Sequence, residues 1–289
     1  MHTFLRSVAI VTLIAVADSC AVRDHLAPET SSCRTTEFLG DLDYYVIPDG
    51  ETVQIGQSVL GLSGNMIPVI SIVKAGGTSL AVGYPEYTIT YEYDSEGRVK
   101  KTATGGRLYR NERFTSEFSY APNQVTEIYS AYNFRPEPYV ETRVHMLNAD
   151  GIEEKPNFSY ANGLITEERY ANYTIKNTIE NGNIVKSENI PVDPSSGQQG
   201  LKTYEYDLSQ LNPLPVFYPI LAAPAPFKPN RNLLLKITDD DQVLDNIGPY
   251  VIEYSYVTND WGFFQIEKVN RPNDNRISYN INGYKLSCQ

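Results

Sequence analysis

The sequence predicts an all-β fold, an antiparallel up-and-down meander of hairpins that curls into an open sheet or a partly open barrel. Three observations predict it. Pairs of aromatic residues recur along the chain, and turn-forming glycine and asparagine residues follow several of these pairs. No window beyond the N-terminal segment combines a helical apolar stripe with helix caps.

The aromatic pairs indicate strands. One residue separates the two rings of each pair, and because side chains alternate along a strand, both rings lie on one face. A hairpin of this kind cannot bury its ring face alone, so neighbouring hairpins are expected to pack side by side. The five pairs are Tyr91/Tyr93, Phe118/Tyr120, Phe158/Tyr160, Tyr204/Tyr206 and Tyr254/Tyr256.

Turn signals separate these strands. The segments Asp94-Ser95-Glu96-Gly97 and Asn162-Gly163 are strong hairpin signals, because Asp, Asn and Gly tolerate the positive φ that tight turns need. Further turns are predicted at Gly76-Gly77, Gly105-Gly106, Asn148-Ala149-Asp150-Gly151, Asn181-Gly182 and Ile281-Asn282-Gly283-Tyr284.

The N-terminal segment is typical of an export signal. Arg6 precedes an apolar stretch at residues 8–16, which is shorter than the about 20 residues that span a bilayer. Ala17-Asp18-Ser19 then leads to Cys20 in an arrangement that resembles the lipobox of bacterial lipoproteins. We therefore expect residues 1–19 to be a signal peptide, 20–36 a lipidated cysteine and tether, and 37–289 a single hairpin-repeat domain. Ordinary signal-peptide cleavage after Ser19 is the alternative.

Cysteine usage agrees with an exported protein. If Cys20 carries lipid, Cys33 and Cys288 remain, and an even pair in an oxidising compartment predicts a disulfide between the two ends of the domain. The alternative is a Cys20–Cys33 link in an unlipidated chain, which leaves Cys288 free.

Composition excludes one class of partner. The formal charge is −11, the isoelectric point is near 4.8, and no basic patch occurs, so nucleic acid binding is not expected. The chain has 22 Tyr and 10 Phe beside a single Trp. Tyrosine suits a half-buried sheet, because its ring packs on neighbours while its hydroxyl meets a polar partner.

Catalytic residues are scarce in the sequence. Its three histidines are His2, His25 and His145, of which the last is expected to be a half-exposed strand residue. They predict neither a Ser–His–Asp arrangement nor a metal site, and no cofactor is expected. The run Asp239-Asp240-Asp241 lacks the spacing of a calcium loop and is expected to be a solvated turn.

Two resemblances follow from the motifs. The segment Tyr91-Glu92-Tyr93-Asp94 with Gly97-Arg98-Val99 resembles the repeat unit of YD/RHS-type β-hairpin proteins. The wider pattern of signal, cysteine, tether and hairpins resembles a family of uncharacterised Bacteroidota-type lipoproteins. That likeness covers roughly residues 85–289 and is most specific at Tyr204–Asp207, at Asn212-Pro213-Leu214, and at Asn232 before Leu235–Thr238.

The family resemblance implies a porin-like antiparallel fold with no assigned activity. Three features favour a water-soluble form over a membrane-spanning barrel. The connections are irregular and Pro-rich, charged residues fall on both strand faces as in Arg98–Lys101, and the last residue, Gln289, is not the aromatic that such barrels carry.

The Pro-rich segment 212–230 is predicted to be a long loop. It is expected either to cover the open end of the sheet or to present a binding lip. The lip residues would be Phe217, Tyr218 and Phe227. Trp261, Phe263 and Phe264 are further candidate ligand contacts, with packing into the core as their alternative role.

These features predict a non-enzymatic outer-membrane lipoprotein, facing the periplasm or the cell surface and attached to the membrane only through its lipid. Its aromatic surface would bind a glycan or another envelope protein. A structural scaffold without a small ligand and a polysaccharide-acting hydrolase are the alternatives, and the hydrolase requires two inward-facing carboxylates.

Overall fold

A computed structural model describes residues 33–288, except 107–111, 134–136, 149–150, 154, 195–198, 213–229, 241–248 and 272–275. Cys20 and the loop residues Phe217, Tyr218 and Phe227 therefore lie outside the described residues. The strands are β1 Cys33–Ile47, β2 Ser58–Leu60, β3 Met66–Pro68, β4 Ser71–Ala75, β5 Thr78–Tyr93, β6 Val99–Gly105, β7 Glu112–Ala121, β8 Gln124–Asn133, β9 Tyr139–Met146, β10 Phe158–Ala161, β11 Leu164–Arg169, β12 Tyr173–Glu180, β13 Asn183–Pro191, β14 Gly200–Leu211, β15 Asn232–Asp239, β16 Tyr250–Asn259, β17 Gly262–Arg271 and β18 Arg276–Cys288.

One antiparallel sheet contains most of the chain, which confirms the predicted all-β meander. Strands β10 to β18 lie side by side in chain order, and β18 pairs with β1. On its other side β1 pairs with β5, and β5 to β9 then follow in chain order. The short β4 pairs with the first half of β5, while β2 and β3 form a separate hairpin. Within the described ranges the sheet is not closed, because β9 and β10 are its two edges.

Strand β1 begins earlier than expected. It starts at Cys33, four residues before the predicted start of the domain, because Cys33, Arg34 and Thr35 already pair with the end of β18. The pairing places Cys33 directly opposite Cys288.

All five aromatic pairs lie on one face of the sheet, which we call the tyrosine face. The strand registers connect them through directly opposed residues, whose side chains point to the same side. Part of this face is buried in a cluster of Phe38, Tyr87, Ile89, Tyr91, Val99, Phe118 and Val125. The opposite face carries the second core, where β4 and the first half of β5 pack over β17 and β18. Its members include Leu39, Leu80, Val82, Phe264, Ile266 and Ile281.

The second tyrosine of four aromatic pairs performs the same structural task. Its hydroxyl donates a hydrogen bond to a backbone carbonyl on the neighbouring strand, just beyond the point where the ladder between the two strands ends. In each case one residue pair ends the ladder. The carbonyl belongs to the residue two positions before the pair on one strand, and the tyrosine lies three positions after the pair on the other strand. The bonds are Tyr93 to Thr35 at 2.6 Å and Tyr120 to Val99, Tyr206 to Ile184 and Tyr256 to Leu234 at 2.7 Å.

The turn of the YD-like motif is held by its own side chains. Asp94 accepts hydrogen bonds from the backbone N–H groups of Glu96 and Arg98, and Gly97 adopts a φ of 81°. The Arg98 guanidinium pairs with Asp94 at 2.8 Å and lies 4.4 Å from the centre of the Tyr120 ring. The motif therefore orders its own turn, and its Arg98 also covers the ring of Tyr120, whose hydroxyl donates a hydrogen bond to the Val99 carbonyl.

One predicted turn is wrong. Ile281-Asn282-Gly283-Tyr284 lies in the middle of β18, where each residue pairs with β17. Gly283 is present because the core side chains of Leu39 and Phe264 lie close to its Cα, not because the chain reverses. A Cβ at this position would lie 3.1 Å from Leu39 and 3.4 Å from Phe264.

Candidate functional site

Three adjacent strands present a patch of aromatic and polar side chains on the tyrosine face. The registers of β16, β17 and β18 align it in three rows, which we call the β16–β18 grid. The rows are Tyr254–Glu267–Asn280, Tyr256–Gln265–Asn282 and Thr258–Phe263–Tyr284. None of these nine side chains is aliphatic, although the grid lies in the middle of a sheet.

The other face of the same three strands is apolar core. Val257, Phe264 and Gly283 form one row there, and Ser255, Ile266 and Ile281 form the next. Phe264 and Ile266 are completely buried. Alternation along these strands therefore separates a face that stabilises the fold from a face that carries hydrogen-bonding groups and rings.

Hydrogen bonds and ring contacts order the grid. The side-chain amide of Asn280 donates to the Glu267 carboxylate at 3.2 Å, and the Tyr284 hydroxyl donates to the side-chain oxygen of Gln265 at 3.3 Å. Phe263 stacks on Tyr256 with ring centres 5.6 Å apart. A set of side chains held in this way needs little reordering when a ligand binds.

The one carboxylate of the grid, that of Glu267, is electrostatically perturbed. Burial raises the pKa of Glu267, against a lowering by the hydrogen bond from Asn280, and the nearby Asp41 raises it further. Burial also raises the pKa of Tyr254 and of Tyr284, and the charge of Glu267 adds to both shifts. Perturbed titratable groups are a common property of functional sites.

Asp41 marks the border of the grid with a strained backbone. It has a φ of 49° inside β1, a conformation that non-glycine residues seldom adopt and that costs about 1 kcal/mol or more. Its backbone N–H donates to the side-chain oxygen of Asn282 at 3.3 Å. The charge of Asp41 also acts on Glu267, since it raises the pKa of that carboxyl group.

The grid has the chemistry of carbohydrate recognition. The side-chain amides can donate hydrogen bonds to sugar hydroxyls and accept them, the carboxylate can accept them, and the rings offer flat surfaces for the C–H faces of a pyranose.

The structure separates the three aromatic candidates that sequence reasoning placed near residue 262. Trp261 is exposed at the turn between β16 and β17, whereas Phe263 lies on the tyrosine face within the grid but is only 9% exposed, so it offers a ligand little surface. Phe264 is 0% exposed and packs in the core of the opposite face, so it has no surface to offer a ligand. Adjacent strand residues point to opposite faces, which is why these two phenylalanines have different roles.

Most grid residues were not singled out from the sequence. Glu267 lies on β17, whereas Asn280 and Asn282 lie on β18, and their proximity depends on a strand register that the local pattern does not encode. The signal that was available is the polar alternation of β18, where Asn280 and Asn282 flank the buried Ile281.

The ends of the Pro-rich loop are fixed, although the loop itself lies outside the described residues. The backbone N–H of Asn212 donates to Arg231 at 2.8 Å, and the Asn212 side chain donates to Asn230 at 3.3 Å. The buried Asn232, part of the family-like pattern, exchanges two hydrogen bonds with Asn183, each at 2.9 Å. This pattern therefore has a structural role at the base of the loop.

His145 is not the half-exposed residue that the sequence suggested. It is 8% exposed, and its two ring nitrogens lie 3.3 Å from Glu127 and 3.2 Å from Glu153. The Ser116 hydroxyl donates to Glu127 at 2.6 Å rather than to the imidazole. Ser116 and His145 therefore do not form the Ser–His pair of a nucleophilic serine.

Asp239 is likewise not part of a solvated turn. It is 1% exposed at the end of β15, and its carboxylate pairs with the ammonium of Lys202 at 2.7 Å. Asp240 accepts a hydrogen bond from the backbone of Leu201, and Asp241 lies outside the described residues. Among the residues that the structure describes, no group of three or more His, Cys, Asp or Glu side chains is arranged to hold a metal ion.

A surface depression of about 470 Å³ lies away from the grid, beside the connection between β13 and β14. It is lined by Glu188, Asn189, Ile190, Gln199, Gly200, Leu201 and Asp240. These residues include no aromatic ring, so the depression lacks the stacking surface that the grid provides.

Comparisons with known proteins assign no activity. No protein-family model matches the sequence, and no curated protein matches it. Among solved structures, the chain is similar to a porin-like protein from Bacteroides vulgatus ATCC 8482, with 9% identity over 88% of this chain and 98% of the other and a TM-score of 0.25. At that score the likeness carries no argument about the site. Within the described ranges, no helix has the length and apolar character that a membrane crossing requires.

Proposed function

We propose that this chain is an exported, lipid-anchored protein of the cell envelope whose β16–β18 grid binds a glycan. The observation that carries the proposal is the difference between the two faces of the same three strands. One face is buried core, and the other has nine aromatic or polar side chains with no aliphatic residue among them. A sheet that only stabilised the fold would not need this composition on its second face.

Glycan binding is tested by titrating neutral and acidic oligosaccharides and peptidoglycan fragments into the purified full chain by calorimetry. Loss of one hydrogen bond to a sugar hydroxyl costs about 1–2 kcal/mol, so Glu267→Gln and Asn280→Ala are each expected to weaken binding about tenfold. The matched control is Glu205→Gln, which makes the same change at an exposed carboxylate outside the grid. Equal weakening by the control, or no binding by any saccharide, would contradict the proposal and favour a scaffold without a small ligand.

Membrane attachment is tested separately. Lipidation at Cys20 predicts that the chain incorporates labelled fatty acid and partitions into detergent, and that Cys20→Ser abolishes both. Processing after Ser19 without lipid would leave the wild-type chain unlabelled. Binding by the grid does not depend on this result.

A hydrolase is the second candidate, and the raised pKa of Glu267 beside the strained Asp41 favours it. In such an enzyme Glu267 would protonate the glycosidic oxygen, and Asp41 would supply the second carboxylate. Release of reducing ends from a bound polysaccharide, abolished by Glu267→Gln and by Asp41→Asn, would establish this function. Binding without any release would leave the protein a glycan receptor.

A further inference from the structure

The edge strand β9 has an accessible side. It pairs with β8 along its whole length, from Tyr139 opposite Ala131 to Met146 opposite Gln124. In the described part of the chain no strand pairs with its other side. An edge strand of eight residues is long enough to act as a template for another strand, and proteins usually protect such edges.

The exposed side chains of β9 are unusual for a protected edge. Val140, Val144 and Met146 are 55%, 54% and 62% exposed, and they share one face of the sheet with the exposed Ile128 of β8. Neither Lys nor Pro, the residues that commonly block edge pairing, occurs in β9.

The order of residues along β9 is symmetric about Thr142. Valine lies two residues to either side, at Val140 and Val144. Residues of opposite charge lie one residue to either side, at Glu141 and Arg143. The side chains of Glu141 and Arg143 pair with each other at 2.6 Å within β9, and at 39% and 40% exposure both remain accessible at the edge.

We propose that β9 is a dimerisation edge, which pairs antiparallel with β9 of a second copy of this chain about a twofold axis at Thr142. In this register Val140 lies opposite Val144 of the second copy, and Glu141 lies opposite Arg143 of the second copy. Each contact occurs twice, as a twofold interface requires. Charge complementarity and apolar contact thus favour the same register, which joins the two sheets into one.

Cysteine cross-linking tests the register. Directly opposed residues of an antiparallel pair have Cα atoms about 4.5–5.5 Å apart, within the range that a disulfide spans. The exposed Thr142→Cys is therefore expected to give a covalent dimer on mild oxidation, seen on a non-reducing gel. Val140→Cys alone is expected to give none above the wild-type level, whereas a mixture of Val140→Cys and Val144→Cys gives a dimer. Wild type controls for the native cysteines.

A charge test at the axis is independent of oxidation. Thr142→Lys and Thr142→Glu each place like charges opposite each other, so each variant is expected to be monomeric by light scattering. Their mixture places Lys opposite Glu and is expected to restore the dimer. Ile128→Lys, on the same face but in the interior strand β8, is the matched control and is expected to remain dimeric.

Two outcomes would overturn the proposal. One is a wild-type chain that stays monomeric at all accessible concentrations. The other is cross-linking of Val140→Cys alone as efficiently as Thr142→Cys, which would indicate non-specific edge contact. A monomer whose β9 amides are as protected from hydrogen exchange as those of interior strands would instead show that β9 pairs with β10 of the same chain, which also rejects the dimer.

Discussion

The hydroxyl of Tyr256 donates a hydrogen bond to the backbone carbonyl of Leu234 at 2.7 Å, two residues beyond the end of the ladder between β15 and β16. The same relationship occurs between Tyr93 and Thr35, Tyr120 and Val99, and Tyr206 and Ile184. The tyrosine side chain thus extends strand-to-strand hydrogen bonding past the point where the backbones separate. Much of the tyrosine content of this protein has a structural explanation.

Removal of one such hydroxyl is expected to destabilise the fold. Tyr256→Phe keeps the ring packing but leaves a part-buried carbonyl without its donor, which costs about 1–2 kcal/mol. Urea unfolding monitored by fluorescence measures the change. Tyr84→Phe, at a residue that is 58% exposed, is the matched control and is expected to change stability by less than about 0.5 kcal/mol.

Strong alkali is expected to unfold the protein through the same tyrosines. Burial raises the pKa of Tyr120 and of Tyr256 to about 12, whereas tyrosine in an unfolded chain ionises near 10. The folded state therefore holds these protons more tightly, so the stabilisation is complete below about pH 10 and falls as the pH rises through about 12. A phenolate also cannot donate the hydrogen bond.

The measurement is the urea midpoint as a function of pH, together with the ultraviolet absorbance of the phenolate. The decline above about pH 10 is expected to be less steep in Tyr256→Phe, because that variant has one fewer group of raised pKa. If wild type and Tyr256→Phe show the same dependence on pH, ionisation of Tyr256 contributes nothing to alkaline unfolding.

Local features of the fold could be predicted from the sequence, because they depend on residues close together in the chain. The aromatic pairs lie in strands and share one face, and the predicted turn Asn162-Gly163 has φ values of 53° and 83°. In contrast, the local pattern does not show that the first strand lies beside the last. The structure shows it through the pairing of Phe38 with Tyr284. The burial of His145 depends on Glu153, which comes from outside the sheet.

The candidate site was mostly beyond sequence reasoning for the same physical reason. Phe263 was singled out, but Glu267 and Asn280 become neighbours only when β17 and β18 adopt their observed register. A shift of one residue would exchange their faces and place Ile281 on the tyrosine face. The composition of a strand indicates that it has two different faces, but it does not identify which side chains of its neighbours complete a site.

The opposed positions of Cys33 and Cys288 predict a disulfide that joins the two ends of the domain. Directly opposed Cα atoms in an antiparallel pair are about 4.5–5.5 Å apart, and disulfides span about 4.4–6.8 Å. Thiol titration under denaturing conditions is expected to show neither cysteine reactive until a reductant is added. Reduction is expected to lower the free energy of unfolding of wild type, measured in urea, by up to about 4–5 kcal/mol in the chain-entropy treatment, and to leave that of Cys33→Ser unchanged. Reactive thiols in the unreduced wild type would contradict the prediction.

Gly283→Ala tests how closely β18 packs against its neighbours. A Cβ at residue 283 would lie 3.1 Å from Leu39 and 3.4 Å from Phe264, and both of these residues are buried in the core behind the grid. Both neighbours are buried in the packed core and would have to shift by a few tenths of an ångström, so the extra methyl group is expected to cost about 1–3 kcal/mol in urea unfolding. The matched control is Gly105→Ala in β6, where no atom lies within 4 Å of the added carbon. There the same substitution is expected to be neutral or to stabilise by up to about 1 kcal/mol, because alanine loses less backbone entropy on folding. Equal changes in the free energy of unfolding at the two positions would show that the sheet relaxes around the new methyl group. The β17–β18 register that aligns the grid would then be held less firmly than the contacts of Gly283 indicate.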